Sequence, residues 1–117
     1  LRSTFEERFA KDLKDRGIEY EYEPDSFTYT VPRKYTPDFK PKKVAKRFYI
    51  ETKGYFTPGD RAKTLRVLSE HPDLDLRFVF QNAQNKLAKG SKTTYGGWCD
   101  KHGIPWAEKT APAAWFK

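Results

Sequence analysis

Tyr35-Thr36-Pro37-Asp38-Phe39, then a lysine-rich turn, then Arg47-Phe48-Tyr49-Ile50-Glu51-Thr52-Lys53-Gly54 is the stretch on which the reading of this chain turns. The second segment is rich in β-branched and aromatic residues and is closed by Gly54, which predicts a strand over 47–53. Glu51 and Lys53 stand two apart and so share a face of it. Pro37 lacks an amide proton, which places Asp38 at a strand edge or bulge. As the preceding arm of a hairpin, that segment brings Asp38 to Glu51 across the sheet. Two carboxylates and the backbone carbonyl of Thr52 are hard oxygen donors, the set that Mg2+ prefers. A cation there neutralises charge building on a phosphodiester and activates water, and Lys53 stands ready to stabilise the transition state or handle the attacking water.

The charge around this stretch is uneven. Arg33, Lys34, Lys40, Lys42, Lys43, Lys46, Arg47 and Lys53 are basic, and Asp38 and Glu51 are the only acids among them. Acids in a segment that only gripped phosphate would weaken it. Either they pair with neighbouring lysines on a solvated surface, or a divalent cation stands between them and the phosphate. A second acid-free stretch, 76–99, carries Arg77, Lys86, Lys89 and Lys92. The segment 1–25 is by contrast mainly acidic. The net charge of +7 and pI of about 9.5 favour a polyanionic partner. Lys42, Lys43, Lys46 and Arg47 form one expected phosphate-contacting cluster. Lys86, Lys89 and Lys92, with Ser91 and Thr93 as hydroxyl donors, form another, and Arg33 and Lys34 extend the basic surface.

Outward from this stretch, Ser3-Thr4-Phe5-Glu6 reads as a helix N-cap with a capping box. Phe5, Phe9 and Leu13 give the helix one apolar stripe, and Gly17 stops it. Glu6 lies at the edge of that stripe. Ile18, Tyr20 and Tyr22 alternate with glutamates, and Phe27, Tyr29 and Val31 alternate again, predicting two further strands. Thr57-Pro58 opens a helix with Leu65 and Leu68 on one face, ending near His71-Pro72. A buried strand follows over 75–80, then a polar basic loop over 81–92. Thr93 or Thr94 caps a short helix carrying Tyr95, Trp98 and Cys99. His71 and His102 read as helix-end residues, the three tryptophans as core, and Cys99 as a small buried hydrophobe. The order predicts an α/β (α+β mixed) fold, a central mixed sheet flanked by helices.

The 117 residues suit a single domain, 1–117, without repeat or linker. The longest apolar run, Ala113-Ala114-Trp115-Phe116, is far short of the ~18 residues a membrane span requires, and no apolar signal segment opens the chain. A single cysteine rules out an intrachain disulfide or a Cys-rich zinc site and fits an intracellular setting. The chain opens at Leu1 without an initiator methionine, so flanking tails are expected.

Asp38 with Glu51-Thr52-Lys53 matches the D-x(n)-E-x-K pattern of the PD-(D/E)xK nuclease superfamily. Several segments resemble the phage endonuclease I family of Holliday-junction resolvases. They are Arg2-Ser3-x-x-Glu6, Tyr35 to Phe39, Glu51 to Gly54, His71-Pro72-Asp73-Leu74-Asp75, and Gly90-Ser91 through Tyr95 to Cys99-x-Lys101-His102-Gly103-Ile104. The resemblance spans nearly the whole chain. It implies a restriction-endonuclease-like fold and cleavage of branched DNA, four-way junctions above all, with Mg2+ or Mn2+. It implies Glu6, Asp38, Glu51 and Lys53 as the active site, with Glu6 also able to join the metal shell. It further implies a strand-exchanged homodimer with composite sites, the exchange bridge lying near 31–35, at work in the host-cell cytoplasm. The connector Pro32-Arg33-Lys34 is shorter than the family's bridge. Two alternatives stand beside this reading. A nuclease of the same superfamily aimed at transposon ends or mismatches would prefer those substrates in competition. A non-catalytic nucleic-acid-binding protein would bind with steep salt dependence and never cut.

Overall fold

A computed structural model describes residues 3–117. Arg2, the first residue of the N-terminal motif, lies outside the described residues. The chain divides into two compact units, Leu1–Arg33 and Lys34–Lys117.

In the first unit, Ser3 caps helix α1 (Thr4–Asp15) as expected, its hydroxyl accepting from the Glu6 N–H at 3.1 Å. Gly17, at φ +71°, ends the helix. The Gly17 N–H donates to the Lys14 carbonyl and the Ile18 N–H to the Leu13 carbonyl, the paired bonds of a Schellman stop. The expected apolar stripe exists but is uncovered, with Phe5 and Phe9 exposed. The two strands expected over 18–22 and 27–31 do not form. Neither segment joins a strand ladder among the described residues, and Phe27 and Tyr29 are 89% and 87% exposed. Alternation specifies a strand only where a neighbouring ladder and a core face receive it. Among the described residues neither segment has them.

The second unit is an α/β sandwich. Strands β1 (Tyr49–Lys53), β2 (Leu76–Phe80) and β3 (Trp106–Glu108) lie parallel in that order. Helix α2 (Pro58–Glu70) joins the first pair and α3 (Tyr95–Lys101) precedes the third strand. β3 was not foreseen. Its three residues are too few to show alternation, and only pairing with β2 defines it. The expected hairpin arm at 35–39 reduces to a single antiparallel bridge, Phe39 to Ile50, on the outer edge of β1. Pro37 offers no N–H to lengthen that ladder.

Parallel register assigns each face. Leu76, Phe78 and Phe80 of β2 point to the helical side, where they pack with Phe56, Ala83, Tyr95, Trp98, Cys99 and Ile104. Phe56 lies at the centre, edge-on to Phe78, Phe80, Tyr95 and Trp98 with ring centroids 5.1–5.7 Å away. The opposite face buries Phe48, Ile50 and Val79 against Val44, Ala107, Ala111 and Trp115. Arg77 caps that side, its guanidinium 3.9 Å from the Phe48 ring centroid and forked onto Asp75 at 3.0 and 2.8 Å. On α2, Leu68 faces the core as expected, but Leu65 is exposed. Thr64 holds the buried position instead, its hydroxyl satisfied by the Asp60 carbonyl at 2.8 Å. Thr94 caps α3, and His71 and His102 stand at helix C-termini as expected. Trp98 and Cys99 are buried, and burial pushes the Cys99 thiol up to about 12. Among the described residues no helix is long and apolar enough to cross a membrane.

Candidate active site

Strand pairing decides where the chemistry sits. Glu51 is in register with Phe78 and Lys53 with Phe80, so both side chains emerge on the helical face of the sheet. Lys53 ends β1, and the C-terminal ends of parallel strands are where such folds open to ligands. An open cavity of about 550 Å3 lies there, lined by Thr52, Lys53, Gly54, Val79, Phe80, Gln81 and Lys109.

Asp38 reaches the end of β1 from outside the sheet, joined to Thr52 beside that cavity rather than lining it. The Phe39–Ile50 bridge pins the backbone beside β1, with N–H to carbonyl bonds of 3.0 and 2.9 Å in the two directions. Asp38 Oδ2 then accepts from the Thr52 N–H and the Thr52 hydroxyl, both at 2.9 Å. In return the Asp38 N–H donates to Glu51 Oε1 at 3.1 Å. Since N–H and carbonyl of one strand residue point the same way, the Thr52 carbonyl lies on this edge too. Asp38, Glu51, Thr52 and Lys53 are therefore brought together as the sequence reading expects.

The two carboxylates are driven apart electrostatically. The Thr52 backbone N–H, helped by its hydroxyl, holds Asp38 below the usual carboxylate range. Burial first, then the Asp38 charge, raises Glu51, which is only 7% exposed. Lys53 Nζ stands 3.7 Å from Glu51 Oε2. A divalent cation suits this arrangement, because like charges held side by side in a part-buried place gain from one between them. Asp38 bonds through Oδ2 and Glu51 through Oε1, leaving Oδ1 and Oε2 with the Thr52 carbonyl as hard donors. No group of three or more His, Cys, Asp or Glu able to hold a metal occurs among the described residues, so the carbonyl and solvent would complete the shell.

Glu6 belongs to the first unit, on α1, where its carboxylate accepts a hydrogen bond from the Tyr22 hydroxyl. That bond raises the Tyr22 hydroxyl to about 12. The reach-back bond of a full capping box is absent there, because the Glu6 side chain is turned to Tyr22 instead.

The expected phosphate-contacting cations Arg33, Lys34, Lys42, Lys43, Lys46, Arg47, Lys86, Lys89 and Lys92 are all exposed. Lys46 and Arg47 line a smaller cavity with Asp73 and Asp75, so acids share that patch. Ser91 uses its hydroxyl within the loop, accepting from the Thr93 N–H at 3.1 Å. Lys86 is bridged to Thr94, which anchors the 81–92 loop to the start of α3.

Two residues of the site escaped the sequence reading. Asp60, on the first turn of α2, lies 3.4 Å from Lys53 Nζ, and the Thr57-x-x-Asp60 capping pattern was the available signal. The Tyr35 hydroxyl is buried without a hydrogen-bond partner among the described residues. Burial and the nearby Glu51 charge raise its pKa, and no sequence pattern announces such a position.

Comparisons with known proteins assign the family. A family model described as phage endonuclease I matches residues 1–117. The chain is 43% identical over its whole length to "Endonuclease I" of Escherichia phage T7, covering 78% of that protein. It is also 43% identical to "Endodeoxyribonuclease 1" of Enterobacteria phage T3, covering 77% of it. With Asp38 and Glu-x-Lys converging at the end of β1, the chain belongs to the phage endonuclease I family.

Proposed function

We propose that this chain is a Mg2+-dependent endodeoxyribonuclease, active with Mn2+ as substitute, that resolves four-way and other branched DNA junctions as a homodimer. The convergence of Asp38, Glu51, Thr52 and Lys53 on the open end of β1 carries the reading. Asp38, Glu51 and the Thr52 carbonyl hold the cation, and Glu6 is the fourth active-site residue that the family resemblance implies. The cation supplies Lewis-acid charge neutralisation at the phosphodiester. The Lys53 ammonium orients the attacking water or meets the charge on the phosphorane oxygens. Hydrolysis adds that water across one P–O bond, the released oxygen taking its proton from solvent. The exposed lysines and arginines meet backbone phosphates, in keeping with recognition of shape rather than sequence.

Strand exchange gives the uncovered apolar face of α1 and the alternating segments 18–22 and 27–31 a partner to pair with. The boundary between the two units falls at Arg33–Lys34, inside the 31–35 bridge. A DNA substrate and a phage family support the reading that the enzyme works in the host-cell cytoplasm.

The test is a labelled four-way junction incubated with Mg2+, Ca2+ or EDTA, in competition with mismatched and linear duplex. Paired cuts near the branch with Mg2+ alone are expected. In EDTA, Asp38→Asn should bind the junction as well as the unaltered protein, since without a cation the loss of a negative charge cannot weaken phosphate attraction, and with Mg2+ it should lose about 100-fold or more in rate. Normal cutting by that variant, or preference for linear or mismatched duplex, would refute the assignment.

A further inference from the structure

The site's lysine is held from two sides, and only one of them belongs to the D-x(n)-E-x-K pattern. Lys53 Nζ is 3.7 Å from Glu51 Oε2 and 3.4 Å from Asp60 Oδ1, with the three side chains 20%, 10% and 21% exposed. We propose that Asp60, in the first turn of α2, is a positioning residue that fixes the Lys53 ammonium for the cleavage step. This deepens, and rests on, the endonuclease reading.

Asp60 is itself held firmly. Its Oδ2 accepts from the Thr57 N–H at 3.0 Å, and its own N–H donates to Thr57 Oγ1 at 3.0 Å, a reciprocal capping box. One turn on, the Thr64 hydroxyl donates to the Asp60 carbonyl at 2.8 Å. Beside it, Arg61 donates to the Phe56 carbonyl at 2.8 Å, tying the turn to the aromatic core. The carboxylate is thereby divided between two tasks, Oδ2 closing the helix and Oδ1 facing the lysine.

Physical reasons require such a group here. A helix N-terminus carries partial positive charge and repels a neighbouring ammonium unless an acid stands between them. A lysine side chain is also flexible, with four rotatable bonds and a compact charge. A single carboxylate at 3.7 Å restrains it weakly, and that carboxylate is also assigned to the cation. When Glu51 turns to the cation, Asp60 remains to keep Lys53 in place. Helix α2 thus acts as a splint between the aromatic core and the reacting phosphate.

Asp60→Asn separates the two tasks, because an amide oxygen can still accept from the Thr57 N–H while the charge facing Lys53 is gone. Single-turnover cleavage of a four-way junction at the Mg2+ level that saturates the unaltered protein, and at about tenfold more, should slow by about 10–100-fold, the range seen when outer-shell partners are lost. Junction affinity should be unchanged or tighter. Asp60→Glu, which keeps the carboxylate and suits a capping box, should restore the rate to within a few fold. Thr57→Ala removes the cap oxygen and leaves the carboxylate, so it should lower the melting temperature by several degrees without comparable loss of rate. Should Asp60→Asn fail to fold by circular dichroism, Asp60→Gln, whose amide oxygen suits the reach-back bond of a capping box, removes the charge and takes its place. Four results would overturn the inference. They are a wild-type rate in Asp60→Asn, an equal slowing in Thr57→Ala, a loss confined to affinity, and a loss cured by more Mg2+, which would make Asp60 a cation ligand. Failure of the unaltered protein to cut any DNA would refute the endonuclease reading instead, so the two failures are distinguishable.

Discussion

Phe56→Ala is the substitution by which the packing account stands or falls. Phe56 is 1% exposed and lies edge-on to four rings at 5.1–5.7 Å. Emptying a buried phenylalanine position costs about 3–5 kcal/mol through lost transfer energy and the cavity left behind. Edge-to-face pairs add roughly 0.5–1.5 kcal/mol each. With four such pairs, and neighbours anchored in β2 and α3 that cannot close the gap, the upper end, about 5 kcal/mol, is expected. Domains of this size are stable by about 5–15 kcal/mol, so the variant should keep between almost none and about two thirds of its former stability. Urea denaturation followed by tryptophan fluorescence would read this as a large fall in midpoint with unchanged slope. The site should suffer too, because the Phe56 carbonyl holds Arg61 one residue beyond Asp60. A loss under about 2 kcal/mol at unchanged slope would show that the aromatic cluster is not the keystone of this unit.

The remaining expectations concern charge, crowding and assembly. Glu51 is raised by burial and by Asp38, so its ionised form opposes folding at neutral pH. In EDTA, Glu51→Gln should therefore gain about 0.5–2 kcal/mol in urea titrations at pH 7 while losing cleavage. That gain should shrink as the pH falls through the raised value toward the ordinary ~4.3, and a loss of stability at pH 7 would refute it. Arg77 holds Asp75 below the ordinary carboxylate range, a contribution present above about pH 3.9 and lost as the pH falls through the folded-state value. Arg77→Lys should cost about 1–2 kcal/mol near pH 7, by loss of the fork and of the stack on Phe48, and less in acid. A flat pH response of that cost would count against the pairing. A Cβ at Gly96 would meet the Trp106 ring at 2.6–2.8 Å, so Gly96→Ala should lower stability by about 1–3 kcal/mol despite its better helix propensity. A more stable Gly96→Ala would refute the close packing of α3 on β3. The proposed exchange predicts a dimer in sedimentation, and Phe27→Ser with Tyr29→Ser should yield monomers that do not cut. A dimer of unchanged strength would show that these exposed rings play no part in it.

The helix starts at Ser3, Thr57 and Thr94, the stop at Gly17 and the cores of β1 and β2 were all legible, because each is written in a few adjacent residues. So was the pairing of Glu51 with Lys53 on one face, which holds wherever their strand is placed. Segments 18–22 and 27–31 show the limit of that reading. Their alternation is genuine, but a strand is a relation between two segments, and one chain's sequence does not name the second. β3 is the converse case, three unremarkable residues made a strand by the unpaired edge of β2. Asp60 marks the same division within the site. Its capping pattern was visible along the chain, whereas its approach to Lys53 depends on the parallel crossing from β1 through α2. Local order follows from near neighbours in the chain, and so do the residue types that carry the chemistry. Which groups meet across the sheet follows from packing, whose contacts join positions that linear order leaves far apart.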